Sequence, residues 1–246
     1  MTDAGEAKRS WTESIVNTIF FAGFDSIEYL QWLSEREQRR SEEHLVPSFL
    51  HEFTHHWCFN SSVGNAVAFT ELRLHFLSGR FPELRGYCAR MSLTLSTLEM
   101  LLGPIAEGIA LFAEFDLEPA PDAAQKLGTP LTAAEMCFAR TSGPFFSKIM
   151  LAVMRRSPEF VDRKASIYLN DFEVGEGYLS GYMLIKWLFL NFQAKLPEIN
   201  AEIFLAYIRC YFWEDPGLVR LMHSDDEEIE PFVHSLIMYK IGRAHV

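Results

Sequence analysis

The sequence has few positive charges and few cysteines, and each shortage argues against a class of protein. Its 246 residues include 22 Lys and Arg against 33 Asp and Glu, which gives a net charge of −11. We expect no nucleic-acid partner, because phosphate binding depends on clustered Lys and Arg. The four cysteines stand singly, without a CxxC pair, which favours reduced thiols in a reducing compartment over a disulfide framework.

Uninterrupted apolar runs of membrane-spanning length are also missing. Glu99, Glu107 and Glu114 interrupt one apolar stretch and Lys186 interrupts another, so we expect no membrane span. The N-terminus is polar where a secretory signal would be basic and then apolar. A Gly-rich phosphate loop and a GxSxG elbow are both absent. The single cysteines, the polar N-terminus and the expected lack of a membrane span predict a cytoplasmic protein.

The last six residues, IGRAHV, match the in-frame translation of a common DNA-sequencing adapter. We therefore expect residues 241–246 to be a non-native tail and the natural protein to carry further C-terminal sequence. No repeat, low-complexity tract or linker divides residues 1–240, which are expected to form a single domain.

Helical periodicity dominates the chain and predicts a mainly α fold, with a small strand pair near residues 16–24. Residues 116–130 contain three prolines and are expected to form a loop, and Thr132 and Glu135 after it match a capping box. The acidic run at 224–230 is expected to be a solvated loop or helix start. The predicted helices cover residues 25–40, 47–57, 62–77, 84–102, 104–115, 145–156, 176–193 and 199–213.

The stretch PSFLHEFTHHWCF, residues 47–59, carries the clearest chemical pattern. His51 and His55 lie four residues apart, so on a helix both can bind one ion. Glu52 is offset by about 100° from its neighbour, which fits a general base rather than a third ligand. The plain alternative is a helix that merely carries three histidines. Its apolar neighbours predict burial, however, and buried histidines need partners. His56 points elsewhere and is expected in the wall of a cleft.

A third ligand is expected from the segment GPIAEGIALFAEF. Glu107 stands among apolar residues, and Gly108 beside it would let another helix approach closely. Glu114 lies seven residues further on, hence on roughly the same helical face. Glu52 and His55 also form the ExxH unit of di-iron bundles, but such sites need a second ExxH, which the sequence lacks. The residue types therefore favour zinc.

These motifs resemble a known family. HExxHxW at His51–Trp57, followed by EGxAxxxE at Glu107–Glu114, is similar to the gluzincin zinc metallopeptidases, especially their aminopeptidase branch and the peptidase MA-like domains. The later segment GEGYLSGYMLIKWL resembles the YxxG segment of that family, whose tyrosine stabilises the oxyanion. This match indicates Tyr178, with Tyr182 one turn later as the rival.

The resemblance implies a zincin-like helical domain in which His51, His55 and Glu107 bind Zn²⁺ and Glu52 is the catalytic base. The implied activity is hydrolysis of peptide bonds in a peptide or protein substrate. The alternative is a non-catalytic helical protein that keeps the scaffold for metal binding or interaction.

The chain departs from the family pattern in two places. There are 51 residues between His55 and Glu107, more than is typical of the family, and an inserted helical hairpin would have to bring Glu107 back to the metal. The GxMEN segment, which recognises a free N-terminus in the aminopeptidases, is absent. The choice between endopeptidase and exopeptidase therefore stays open.

Overall fold

The computed structural model describes residues 11–13, 18–20, 45–117, 155–174, 177–227 and 231. Helices make up most of these residues, which confirms the prediction of a mainly α fold. In chain order the helices are α1 (Leu45–Phe59), α2 (Ser62–Ser78), a 3-10 helix (Pro82–Leu84), α3 (Arg85–Phe115), α4 (Pro158–Val174), α5 (Tyr178–Lys195), α6 (Ala201–Trp213) and α7 (Pro216–Met222).

A short β-hairpin precedes the helices and lies beside α1. Its strands, β1 (Trp11–Glu13) and β2 (Thr18–Phe20), pair antiparallel with Trp11 opposite Phe20. The second strand falls within the region predicted to hold a strand pair, whereas the first lies just before that region.

The turn between α1 and α2 sets the direction of the second helix. Ser61 caps α2, because its Oγ accepts a hydrogen bond from the Gly64 N–H at 3.0 Å. A Cβ at Gly64 would lie 2.1 Å from the Phe59 carbonyl oxygen, so only glycine allows the two helices to follow one another this closely.

Helices α2 and α3 form a helical hairpin between the His51–His55 helix and Glu107, as the sequence predicts. The Arg73 guanidinium of α2 donates to the Tyr87 hydroxyl of α3 at 2.8 Å. Leu77 and Met91 share a small apolar cluster near the turn, while Ala66 and Leu98 meet in the main core. The chain thus doubles back, and α3 returns along α1.

Helix α3 continues through Pro104, so the prediction of two separate helices, ending at 102 and beginning at 104, is wrong. A proline inside a helix removes one backbone hydrogen bond and costs about 3 kcal/mol. Here Ile105, Ile109 and Phe112 follow it and are nearly or fully buried. Burying such side chains stabilises the helix by about 1.5–3 kcal/mol each, which outweighs the lost bond.

The backbones of α3 and α5 touch where the two helices cross. A Cβ at Gly181 of α5 would lie 1.8 Å from the Pro104 carbonyl oxygen, and one at Gly108 of α3 would lie 2.3 Å from the Gly181 oxygen. Gly177, at the start of α5, adopts φ +74, a conformation that favours glycine. This close crossing holds the first turn of α5, including Tyr178, against the Glu107 region of α3.

Helix α4 was not predicted from the sequence. Its start nevertheless carries a recognisable signal, because the Ser157 Oγ accepts from the Phe160 N–H at 3.2 Å and Pro158 follows the cap. Phe160 is buried, whereas Val161 and Leu169 are exposed. Part of the apolar surface of this helix therefore faces solvent.

The stretch Pro82–Phe115 is long and apolar enough to cross a membrane, judged by length and composition alone. More than half of its most apolar window is buried inside the structure, as in the core helix of a globular protein. The absence of a membrane span stays a prediction.

Several sequence-based predictions lie outside the described residues and keep that status. The division into one domain and a non-native tail is also untested. The segments concerned are the helix at 25–40, most of the loop at 116–130, the capping box at 132–135, most of the helix at 145–156, and residues 241–246.

Candidate metal centre

The three predicted ligands come together although 51 residues separate His55 from Glu107. The Nε2 atoms of His51 and His55 are 3.1 Å apart. Glu107 Oε2 lies 3.3 Å from the first and 3.4 Å from the second. Both histidines are buried on α1, and Glu107 reaches them from α3. The hairpin of α2 and α3 therefore brings the carboxylate to the histidine pair.

This triangle has the dimensions of a tetrahedral metal site. With metal–ligand bonds of about 2.0–2.1 Å, two ligands of a tetrahedral zinc ion are separated by about 3.3–3.4 Å. The three measured separations, 3.1, 3.3 and 3.4 Å, lie close to that value. Among the described residues, Glu107 Oε2 is buried without a formed hydrogen bond. A buried carboxylate oxygen in that state is well suited to a cation.

A second carboxylate stands behind His51. Glu114 is completely buried, and its Oε2 lies 3.1 Å from Nδ1 of His51. Nδ1 makes no formed hydrogen bond among the described residues, so this is a close electrostatic contact. Contacts of this kind orient a metal-binding imidazole from its far side. The sequence placed Glu114 on the correct helical face without giving it this role.

Arg163 of α4 holds the other side of the Glu114 carboxylate. Its Nε donates to Oε1 at 2.5 Å and its Nη2 donates to Oε2 at 3.2 Å. Arg155 binds the same turn of α3 through the backbone, donating to the Glu114 and Ala113 carbonyl oxygens at 2.9 and 3.1 Å. Two guanidinium groups therefore meet the last turns of α3.

The electrostatics of the centre favour positive charge between its carboxylates. Burial would lower the pKa of His51, but contacts with Glu107 and Glu114 outweigh it and raise that pKa to about 10. Burial opposes ionisation of Glu107, yet His55 and His51 hold the pKa of its carboxyl well below the usual range. Arg163 and His51 do the same for the pKa of Glu114, again against burial. A metal cation would satisfy the same carboxylates that stabilise a proton on His51.

A cavity of about 310 Å³ opens beside the three ligands. Glu52, which is 7% exposed, lines it together with all three ligands. The remaining wall combines apolar side chains with two further carboxylates, and its residues include Phe59, Val67, Glu71, Leu98, Glu99, Leu102, Tyr178 and Trp213. In the described part of the chain, no Lys or Arg lines this cavity.

The two candidate tyrosines occupy different environments. Tyr178 lines the cavity. Tyr182 is completely buried, and its hydroxyl donates to Asp116 Oδ2 at 2.5 Å and lies 3.2 Å from Nζ of Lys186. The two tyrosines are four residues apart, which is about 6 Å along the helix axis. This distance is enough for one ring to lie at the cavity and the other in the core. Position therefore favours Tyr178 as the group that reaches a substrate.

The other described histidines, His56, His75 and His223, do not line this cavity. The ring of His56 packs against Phe53, with 5.6 Å between ring centroids. It does not line this cavity, contrary to the prediction that it lies in the wall of a cleft. His223 Nδ1 lies 2.8 Å from Asp226 Oδ2. Asp226 also binds Arg73 of α2, so part of the acidic run predicted to be solvated is ion-paired.

Sequence reasoning missed Arg163 and Trp213. Arg163 lies on the unpredicted helix α4, whose Ser-Pro start was the available signal. Trp213 ends α6 and lines the cavity, but no motif marked it.

Comparisons with models of protein families, with curated proteins and with solved structures found no match. What can be said of the function therefore depends on the geometry of this centre.

Proposed function

We propose that the protein is a zinc-dependent hydrolase that cleaves peptide bonds in peptide or protein substrates. One observation carries the proposal: the ligand atoms of His51, His55 and Glu107 converge beside a cavity that Glu52 also lines. The resemblance of the same residues to the gluzincin motifs supports it.

The number of ligands favours a catalytic metal over a structural one. Structural zinc sites are usually closed by four protein ligands, whereas catalytic sites keep one position open. In the part of the chain that the structure describes, the group consists of three residues. All three line the cavity, so an open coordination position would face a space that a substrate can enter.

When bound, zinc supplies a Lewis acid that makes water nucleophilic near neutral pH. Glu52 accepts the proton of the attacking water and passes it to the leaving amine as the C–N bond breaks. Tyr178 donates its hydroxyl hydrogen to the carbonyl oxygen of the substrate. That hydrogen bond strengthens as negative charge develops on the oxygen.

The size and the walls of the cavity suit a few residues of an extended peptide. A volume of about 310 Å³ lies at the lower end of the range typical of ligand pockets. Phe59, Leu102 and Trp213 supply an apolar wall, and carboxylates supply the charge. On composition, we place this activity in the cytoplasm, with no nucleic-acid or membrane partner.

The first test is the metal content of the purified protein. Elemental analysis should find about one zinc per chain in the wild type and little or none in the His51→Ala and Glu107→Ala variants. His56→Ala is the matched control, because it removes a neighbouring histidine of the same helix that does not line the cavity, and it should retain the metal. Equal zinc in Glu107→Ala and wild type would overturn the third ligand, and a wild type that binds none would overturn the centre.

The second test separates catalysis from metal binding. Glu52→Gln should keep its zinc and lose about 10²–10⁴-fold in the rate of cleaving a fluorogenic peptide library. Undiminished cleavage by this variant would refute Glu52 as the base. A zinc-loaded wild type that cleaves no peptide in the library would favour the non-catalytic alternative.

A further inference from the structure

The carboxylate of Glu114 contacts both a proposed zinc ligand and a guanidinium group. Its Oε2 faces Nδ1 of His51 at 3.1 Å and also accepts from Nη2 of Arg163 at 3.2 Å. Its Oε1 accepts from Nε of Arg163 at 2.5 Å. Both oxygens are thus held by one planar fork, which fixes the plane of the carboxylate as well as its position.

Arg163 reaches this carboxylate from the surface. Glu114 is 0% exposed, whereas the side chain of Arg163 is 45% exposed. The fork therefore covers the buried carboxylate from the solvent side, and His51 meets it from the interior. Without the guanidinium, Oε1 would lose this partner, and among the described side chains the contact with His51 would remain to restrain the carboxylate.

The orientation of Glu114 bears on which nitrogen of His51 serves the metal. When Nδ1 of an imidazole faces a carboxylate, the proton of the neutral ring is held on Nδ1. The unprotonated Nε2 can then bind a metal through its lone pair. Nε2 is the atom of His51 that points to His55 and Glu107 in the structure. A carboxylate free to rotate would no longer select that arrangement.

We propose that Arg163 is a positioning residue of the metal centre, which fixes Glu114 and through it directs Nε2 of His51 toward the metal. This inference rests on the proposed zinc site but concerns a helix outside the motifs that suggested the site. The competing view is that Arg163 forms a structural ion pair that only attaches α4 to α3. The two views differ in whether removal of Arg163 weakens zinc binding in a protein that remains folded.

The experiment measures the zinc dissociation constant of the full chain by competition with a chromophoric chelator, at one pH and one ionic strength. Outer contacts of this kind typically change metal affinity by about 10–100-fold. Arg163→Gln and Glu114→Gln should each weaken zinc binding within that range. The zinc affinity of Arg163→Lys should lie between those of the wild type and Arg163→Gln, because an ammonium keeps the charge but lacks the two parallel N–H donors of a guanidinium.

The double variant distinguishes action through Glu114 from an independent effect. If Arg163 acts through Glu114, the combined Arg163→Gln and Glu114→Gln variant should bind zinc as Glu114→Gln does. Lys164→Gln is the matched control, because it removes the next cation of α4, whose Nζ lies over the rings of Phe115 and Tyr182. Its zinc affinity should stay within about twofold of the wild type.

Each outcome decides between the views. Unchanged affinity in Arg163→Gln, or losses that add in the double variant, would overturn the positioning role while leaving the zinc site intact. A wild type without zinc affinity would overturn both the site and this inference. If circular dichroism shows that Arg163→Gln is unfolded, Arg163→Lys decides, since a folded variant with wild-type affinity would also refute the proposal.

Discussion

Replacement of Gly181 by alanine tests the helix crossing that positions the candidate site. The added Cβ would lie 1.8 Å from the Pro104 carbonyl oxygen, and Cβ contacts under 3.0 Å are essentially never seen in proteins. The two backbones would have to separate by at least about 1.2 Å. Because both groups belong to packed helices, neither can rotate away.

The expected cost follows from these distances. Overpacking typically costs 1–3 kcal/mol of stability. We expect the upper value, about 3 kcal/mol, because the added Cβ meets backbone, which cannot move aside as a side chain can. Alanine regains about 1 kcal/mol of helix propensity over glycine. We expect a net loss of about 2 kcal/mol in the free energy of unfolding, a large fraction of the roughly 5–15 kcal/mol of a typical domain.

Urea-induced unfolding, followed by far-UV circular dichroism, measures this loss. Gly86→Ala is the matched control, since a Cβ there meets only the flexible end of Arg90 at 3.8 Å. It should raise the free energy of unfolding by up to about 1 kcal/mol. A Gly181→Ala protein as stable as the wild type would refute the close crossing. In a folded variant, displacement of Tyr178 should also slow peptide cleavage.

Three further outcomes are expected. Tyr178→Phe should slow peptide cleavage, because the hydroxyl that lines the cavity is lost, while Tyr182→Phe should lower the free energy of unfolding by about 1.5–3 kcal/mol, because it loses a buried bond to a charged group. Normal cleavage by Tyr178→Phe and slowed cleavage by Tyr182→Phe would assign the hydrogen bond to the substrate to Tyr182. Ser157→Ala should destabilise the protein by about 1 kcal/mol through loss of the α4 cap, measured by urea unfolding; no change would argue against that cap. For Asp226, partial burial opposes ionisation, but Arg73 and a neighbouring histidine hold its pKa below the usual value. Its folded pKa is depressed, so its stabilising contribution is present above the unfolded value of about 3.9 and is lost as the pH falls through the folded pKa. Asp226→Asn should therefore be less stable than the wild type at pH 7, and the difference in melting temperature should shrink as the pH falls below about 4. A difference that does not change with pH would show that it does not come from the charge of the Asp226 carboxylate.

The parts of the site that follow from local geometry could be predicted from the sequence. His51 and His55 are one helical turn apart, so their meeting needs only a helix. Glu107 could be named because its apolar surroundings and its motif limited the choice. The hairpin that returns it was predictable from the periodicity of the two helices, although its continuation through Pro104 was not. Burial on α3 decided that continuation, and the local pattern does not reveal it.

The supporting contacts could not be predicted, because they join distant segments. Arg163 and Glu114 are 49 residues apart, and neither periodicity nor spacing relates them. The YxxG match indicates Tyr178 rather than Tyr182, but it does not show which of the two reaches the cavity. The crossing at Gly181 and the position along α5 decide that. Sequence thus indicates the metal ligands, while tertiary packing assigns the residues around them.

The solvent-exposed apolar side chains of α4 affect how the native protein is expected to open locally. The second half of α3 is almost entirely buried, so we expect its amides to exchange with solvent only on global unfolding. Among the described side chains of α4, Phe160 is buried and Ile167 packs against the core, whereas Val161 and Leu169 are exposed. We therefore expect this helix to detach at a lower free-energy cost than α3. Each such opening withdraws Arg163 from Glu114 while His51, His55 and Glu107 stay assembled on α1 and α3. We therefore expect the native protein to sample a form whose candidate ligand triad is intact and whose outer support is missing.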